Sequence, residues 1–74
     1  MKKDKFGKIL KSGDWVYVLT GIEEGKVATI NSIDEAEDCI TINIQQFTNP
    51  VTYKYPDFLK KITEDQAMIY LLEQ

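Results

Sequence analysis

Gly13-Asp14-Trp15-Val16-Tyr17-Val18-Leu19-Thr20-Gly21-Ile22-Glu23-Glu24-Gly25-Lys26-Val27-Ala28-Thr29-Ile30 is the stretch that decides the fold. A glycine–aspartate turn opens it. Val16 and Val18 then alternate with Trp15, Tyr17 and Leu19, the period of two that a β-strand imposes. Residues 20–26 form a loop in which Gly21 and Gly25 supply backbone conformations that other residues resist. A second alternating run follows over about residues 26–33, with Ala28 and Ile30 on one face and Val27, Thr29 and Asn31 on the other. Together these predict the first hairpin of a small, strongly bent β-barrel.

The rest of the chain extends that reading. Asp34-Glu35-Ala36-Glu37-Asp38 reads as an exposed, self-repelling hairpin loop. Ile40, Ile42 and Ile44 alternate with Thr41, Asn43 and Gln45 in a third strand. A turn over residues 46–50 leads to a fourth strand, 51–55, with Val51, Tyr53 and Tyr55 on one side and packed in the core or at the barrel rim. Pro56-Asp57 turns the chain, and residues 58–62 give one helical turn and a short closing strand. Thr63-Glu64-Asp65-Gln66 has capping-box spacing, so a short C-terminal helix is predicted over residues 63–73. The expected fold class is all-β: a five-stranded SH3-like barrel with a short C-terminal α-helix, one domain over residues 1–74.

Composition narrows the function classes. Seventy-four residues support one small core, near the size at which stability becomes marginal. Residues 1–11 carry Lys2, Lys3, Lys5, Lys8 and Lys11 against Asp4, a net charge of +4; the remainder sets four lysines against eleven acids, a net of −7. The lead-in arm is therefore basic and the body acidic. Phe6, Ile9 and Leu10 are expected across one end of the barrel, with the lysines solvated and the arm partly frayed. No arginine and no histidine occur. That weakens bidentate phosphate or guanine recognition, and also acid–base and metal chemistry near neutral pH.

No apolar run approaches the ~20 residues a membrane-spanning helix needs, and no apolar signal core follows the N-terminal lysines. The expectation is a cytoplasmic protein. Cys39, the single cysteine, has no histidine partner and stands beside acids, so neither a disulfide nor a catalytic thiol is expected. The acidic loop lacks the glycine and spaced oxygen ligands of a calcium loop. No catalytic residue, metal ligand or cofactor is assigned.

Gly13-Asp14, Val16, Val18, Gly21, Gly25, Ala28 and Ile30 carry a resemblance. The pattern is similar to the KOW motif of barrel domains in NusG-type transcription elongation factors and several ribosomal proteins. Phe47-Thr48-Asn49-Pro50-Val51, followed by Tyr53, Tyr55 and Leu59, resembles the final strand and closing turn of such domains. The likeness covers roughly residues 12–62, and Ala28 stands where the family usually has glycine. It implies a five-stranded SH3-like barrel and, as one function, an RNA- or ribosome-associated module.

Two functions from different classes follow. The first is a non-enzymatic protein–protein interaction module, regulatory or accessory, of the kind mobile elements carry. Its binding surface would comprise Trp15, Tyr17, Leu19, Gly21, Glu23, Glu24 and Lys26, and its acidic body would suit a basic partner. The second is KOW-type nucleic-acid binding, with Lys26 and the arm lysines on phosphates and Trp15 or Tyr17 stacking on bases. The acidic body and the missing arginine count against the second. Trp15 and Tyr17 are either an exposed stripe or the seat of the C-terminal helix, with Met68, Leu71 and Leu72 as its contacts. The chain is expected to be a monomer or a weak homodimer.

Overall fold

The structure is a computed structural model that describes residues 1–45 and 51–73, with Tyr53 and Lys54 described by their backbone alone. The turn expected over residues 46–50, and with it the Phe47-Thr48-Asn49-Pro50 part of the KOW resemblance, lies outside the described residues. Alternating sequence becomes strand where expected: β1 (Trp15–Val18), β2 (Val27–Asp34), β3 (Cys39–Ile44), β4 (Val51–Lys54) and β5 (Leu59–Ile62). They pair antiparallel in the order β4-β3-β2-β1-β5. A 3-10 turn, Pro56–Phe58, joins β4 to β5, and α1 (Glu64–Leu72) follows.

Period two sorts the side chains into an interior. Val16, Val18, Ala28, Ile30, Ile40, Ile42, Ile44 and Leu59 are buried together with Leu10. Each valine, isoleucine and leucine side chain among them contributes about 1.5–3 kcal/mol by leaving water. Ala28, where the related motif favours glycine, pairs with Val16 on one side and Ile44 on the other, so its methyl group sits inside the core.

One feature breaks strict alternation. The β2–β3 register runs Ile30↔Ile42 and then Ser32↔Thr41, so Asn31 is an extra residue bulged out of β2. A bulge bends and twists its strand. It also returns Ile33 to the interior, three residues after Ile30 rather than two or four.

A second, smaller core lies outside the sheet. Val27, Ile62 and Ala67 are buried there, and Trp15, Tyr17, Tyr70 and Leu71 pack against them. α1 is thus the cover of the outer face of β1, β2 and β5. Its start is fixed by the expected capping box: the Gln66 amide donates to Thr63 Oγ1 at 3.1 Å, and the Thr63 amide to Gln66 Oε1 at 2.9 Å. The face it turns inward is only partly the expected one, with Leu71 kept and Met68 and Leu72 replaced. Ala67, Tyr70 and Leu71 are the contacts, while Met68 and Leu72 point to solvent. The small Ala67 side chain brings the helix axis close to the sheet, and Tyr70 and Leu71 follow on the same face.

The arm departs most from expectation. Residues 1–11 do not fray; they fold into a miniature hairpin with Lys3 bridged to Ile9 and the Leu10 amide donating to Lys2 O at 2.9 Å. Asp4, only 4% exposed, organises it. Its Oδ1 accepts from the Phe6 and Lys8 amides at 2.9 and 2.8 Å, and its Oδ2 accepts from the Lys61 amide of β5 at 2.7 Å. The Lys5 amide adds a bond to Leu59 O. The arm therefore covers the outer edge of β5, which would otherwise present unpaired backbone groups. Of the three apolar arm residues expected across the barrel end, Leu10 enters the core, whereas Phe6 and Ile9 are exposed.

Candidate functional site

The residues expected to form a binding surface divide into two groups. Trp15 and Tyr17 are half-buried beneath α1, and the Tyr17 ring lies 4.8 Å from that of Tyr70 at an angle of 37°. Leu19 is half-buried, and its amide donates to Phe58 O at 2.8 Å, tying the end of β1 to the Pro56–Phe58 turn. The remaining residues belong to the 20–26 loop. There the Gly25 amide donates to Val18 O, Glu24 to Gly21 O and Lys26 to Glu23 O, which makes a tight structure. Gly21 and Gly25 have φ of 98° and 85°, a region that L-residues resist. The loop holds Ile22 out in water at 98% exposure, with Glu24 exposed beside it and Glu23 and Lys26 half-buried.

The arm lysines also divide. The Lys2 ammonium lies 3.1 Å from Asp38 Oδ1, so the basic arm meets the acidic loop directly. Lys3, Lys5, Lys8 and Lys11 are exposed. Lys8 and Lys11 line a groove of about 510 Å³ with Lys61, Thr63 and Gln66. The Lys61 ammonium is already engaged by Asp14 Oδ2 at 3.3 Å and Ile9 O at 3.1 Å. The N-terminus of α1 is closed by its own capping box and carries Glu64 and Asp65 in its first turn, so it offers an incoming anion little.

A second concavity was not anticipated from the sequence. It is a cleft of about 590 Å³. Ser32, Cys39 and Thr41 from β2 and β3 contribute to it, Asp34, Glu37 and Asp38 come from the hairpin end, and Tyr55 and Phe58 from the Pro56–Phe58 turn. Tyr55 was expected in the core or at the rim; it is 59% exposed and meets Phe58 edge-to-face, 5.8 Å between centroids at 81°. Val51 is exposed as well. Asp34 Oδ1 accepts from the Ala36 and Glu37 amides, which shapes the loop. A Tyr-Pro dipeptide was the available signal, because proline forces the preceding residue into extended backbone. Spacing alone could not show that the acidic loop folds beside it.

Among the described residues no group of three His, Cys, Asp or Glu side chains gathers as a metal site requires, and no helix is long and apolar enough to cross a membrane. Cys39 is a half-buried free thiol.

No family model matches the chain, and no curated protein matches its sequence. Among solved structures it is similar to a chain of the MjSpt4:Spt5 complex in conformation B, with a TM-score of 0.69 and 16% identity over 77% of this chain. This chain spans 40% of the length of that one. The likeness shows the fold, a KOW-like, SH3-like small barrel.

Proposed function

We propose that this chain is a small, non-enzymatic protein-binding module that receives a basic partner on its acidic face. One observation carries the reading: the Tyr55–Phe58 pair and the carboxylates Asp34, Glu37 and Asp38 border one open cleft. Aromatic anchors ringed by charge are the usual makings of an interface. The structural neighbour belongs to a protein–protein complex, which agrees with such a role. The 20–26 loop, with Leu19, Gly21, Glu23, Glu24 and Lys26, is the second part of the proposed surface. Trp15 and Tyr17 contribute from beneath, by seating α1. A cytoplasmic accessory or regulatory protein, a monomer or a weak homodimer, is the role that size and charge suit.

One observation favours the nucleic-acid reading, namely the convergence of Lys8, Lys11 and Lys61 on the second groove. The two readings separate in affinity capture from cell lysate with and without nuclease. A basic protein retained after nuclease treatment, and lost on Tyr55→Ala, is the expected result. Recovery of RNA alone, with a shift of single-stranded RNA in a low-salt gel, would overturn the protein-binding reading.

A further inference from the structure

The protein-binding reading names a face but not what enters it. We propose that the cleft beside Tyr55 and Phe58 holds the cationic side chain of a lysine or arginine, presented by an extended basic segment of a partner protein. This rests on the reading above.

At about 590 Å³ the cleft falls within the roughly 300–1,000 Å³ typical of small-ligand sites. The Tyr55 and Phe58 rings stand at 81° to one another and so form a corner. Aromatic faces attract cations through their quadrupole, with a preference for a charge within about 6 Å of the ring centre. The corner is set before any ligand arrives. Pro56 is buried and holds Tyr55 extended, the Phe58 amide donates to Tyr55 O at 3.0 Å, and Phe58 O accepts from Leu19. A preformed wall avoids the ordering cost that a mobile one would incur.

Among the described residues the charged side chains lining the cleft are Asp34, Glu37 and Asp38. The chain itself supplies an example of the expected occupant: the Lys2 ammonium lies 3.1 Å from Asp38 at the rim. A carboxylate already met by one lysine, next to two aromatic rings and two further carboxylates, selects a cationic side chain over a neutral or anionic one. Lys2 is then a competitor built into the fold, and the arm's ammonium and an incoming one share Asp38.

The test is a titration of the isotope-labelled full chain with an acetylated, amidated peptide of alternating lysine and glycine, followed by amide chemical shifts. A peptide with glutamate in place of lysine is the control. Saturable shifts are expected at Cys39, Thr41, Tyr55, Phe58 and residues 34–38, absent with the control. Tyr55→Ala, at a largely exposed position and therefore folded, should weaken binding about three- to tenfold. Lys2→Ala should tighten it about twofold or more beyond Lys60→Ala, which makes the same charge change on β5. Shifts spread evenly over the acidic surface and indifferent to Tyr55→Ala would overturn the cleft while leaving the protein-binding reading in place. Absence of lysine-peptide shifts together with RNA-induced shifts at Lys8 and Lys11 would remove both.

Discussion

Replacing Asp4 by alanine should unlatch the arm from the sheet and cost a large share of the folding free energy. Its carboxylate accepts three backbone N–H groups at 2.7–2.9 Å. A hydrogen bond to a charged group is worth about 1.5–3 kcal/mol, and a buried donor left without a partner costs about 1–3 kcal/mol. The Phe6 and Lys8 amides belong to exposed residues and recover water in the mutant, whereas the Lys61 amide lies on β5 beneath the arm. With that discount the loss is about 3–5 kcal/mol. A domain of this length has a total stability of about 4–11 kcal/mol. Urea unfolding followed by Trp15 fluorescence reads the loss directly, because Trp15 packs in the outer core. With a slope of about 1 kcal/mol per molar, the midpoint should fall by about 3 M or more. Asp4→Asn is the finer probe. An amide oriented to keep its oxygen on Phe6 and Lys8 turns its NH2 toward the Lys61 N–H, donor against donor, so it should lose roughly half as much. Asp57→Ala, an exposed carboxylate, should stay within about 0.5 kcal/mol of wild type. An Asp4→Ala loss below about 1 kcal/mol would refute the view that the arm is an integral part of the fold.

Other outcomes follow from the remaining elements. Thr63→Ala removes half of the capping box and should cost about 1 kcal/mol in the same urea assay. Ala67→Leu overfills the contact between α1 and the sheet; it should cost about 1–3 kcal/mol and alter the near-ultraviolet dichroism of the Tyr17–Tyr70 pair. Deleting Asn31 removes the bulge while leaving Ile30 and Ile33 on one face, so the chain should fold with a straighter β2 and lower stability, visible in thermal unfolding. Single-stranded RNA should give no gel shift at low salt, and a shift abolished by Lys8→Ala and Lys11→Ala would support the nucleic-acid reading instead.

Much of the barrel was legible because its signals are local. The Val16–Val18 and Ile40–Ile44 alternations, the positive-φ glycines and the Thr63–Gln66 box each act over a few residues. What escaped was set by distant chain. Residues 67–72 are apolar almost all round, so periodicity could not choose between the Ala67–Tyr70–Leu71 face and one containing Met68 and Leu72. Asp4 looked like one charge in a lysine-rich arm until β5, 57 residues later, supplied the amide it accepts. The cleft needed the bend of β2 and the turn at Pro56 at once, so neither Tyr55 nor the acidic loop announced it alone. The aromatic pair on β1 was read as a choice between surface and seat, and α1 takes the seat.

The latch between Asp4 and Lys61 has a consequence for how the chain is made. The arm is synthesised before any strand, yet the edge it covers is completed last among the strands. During synthesis the arm has no place to dock, and the β1–β2–β3 meander must hold its interior with Leu10 still outside. Contacts of such long sequence separation close slowly. Docking of the arm is therefore the natural final step of folding, and a chain caught before it carries a bare β5 edge open to another copy of itself. Slow translation or an N-terminal fusion would lengthen that interval, and edge-to-edge association would be the form in which the delay becomes visible.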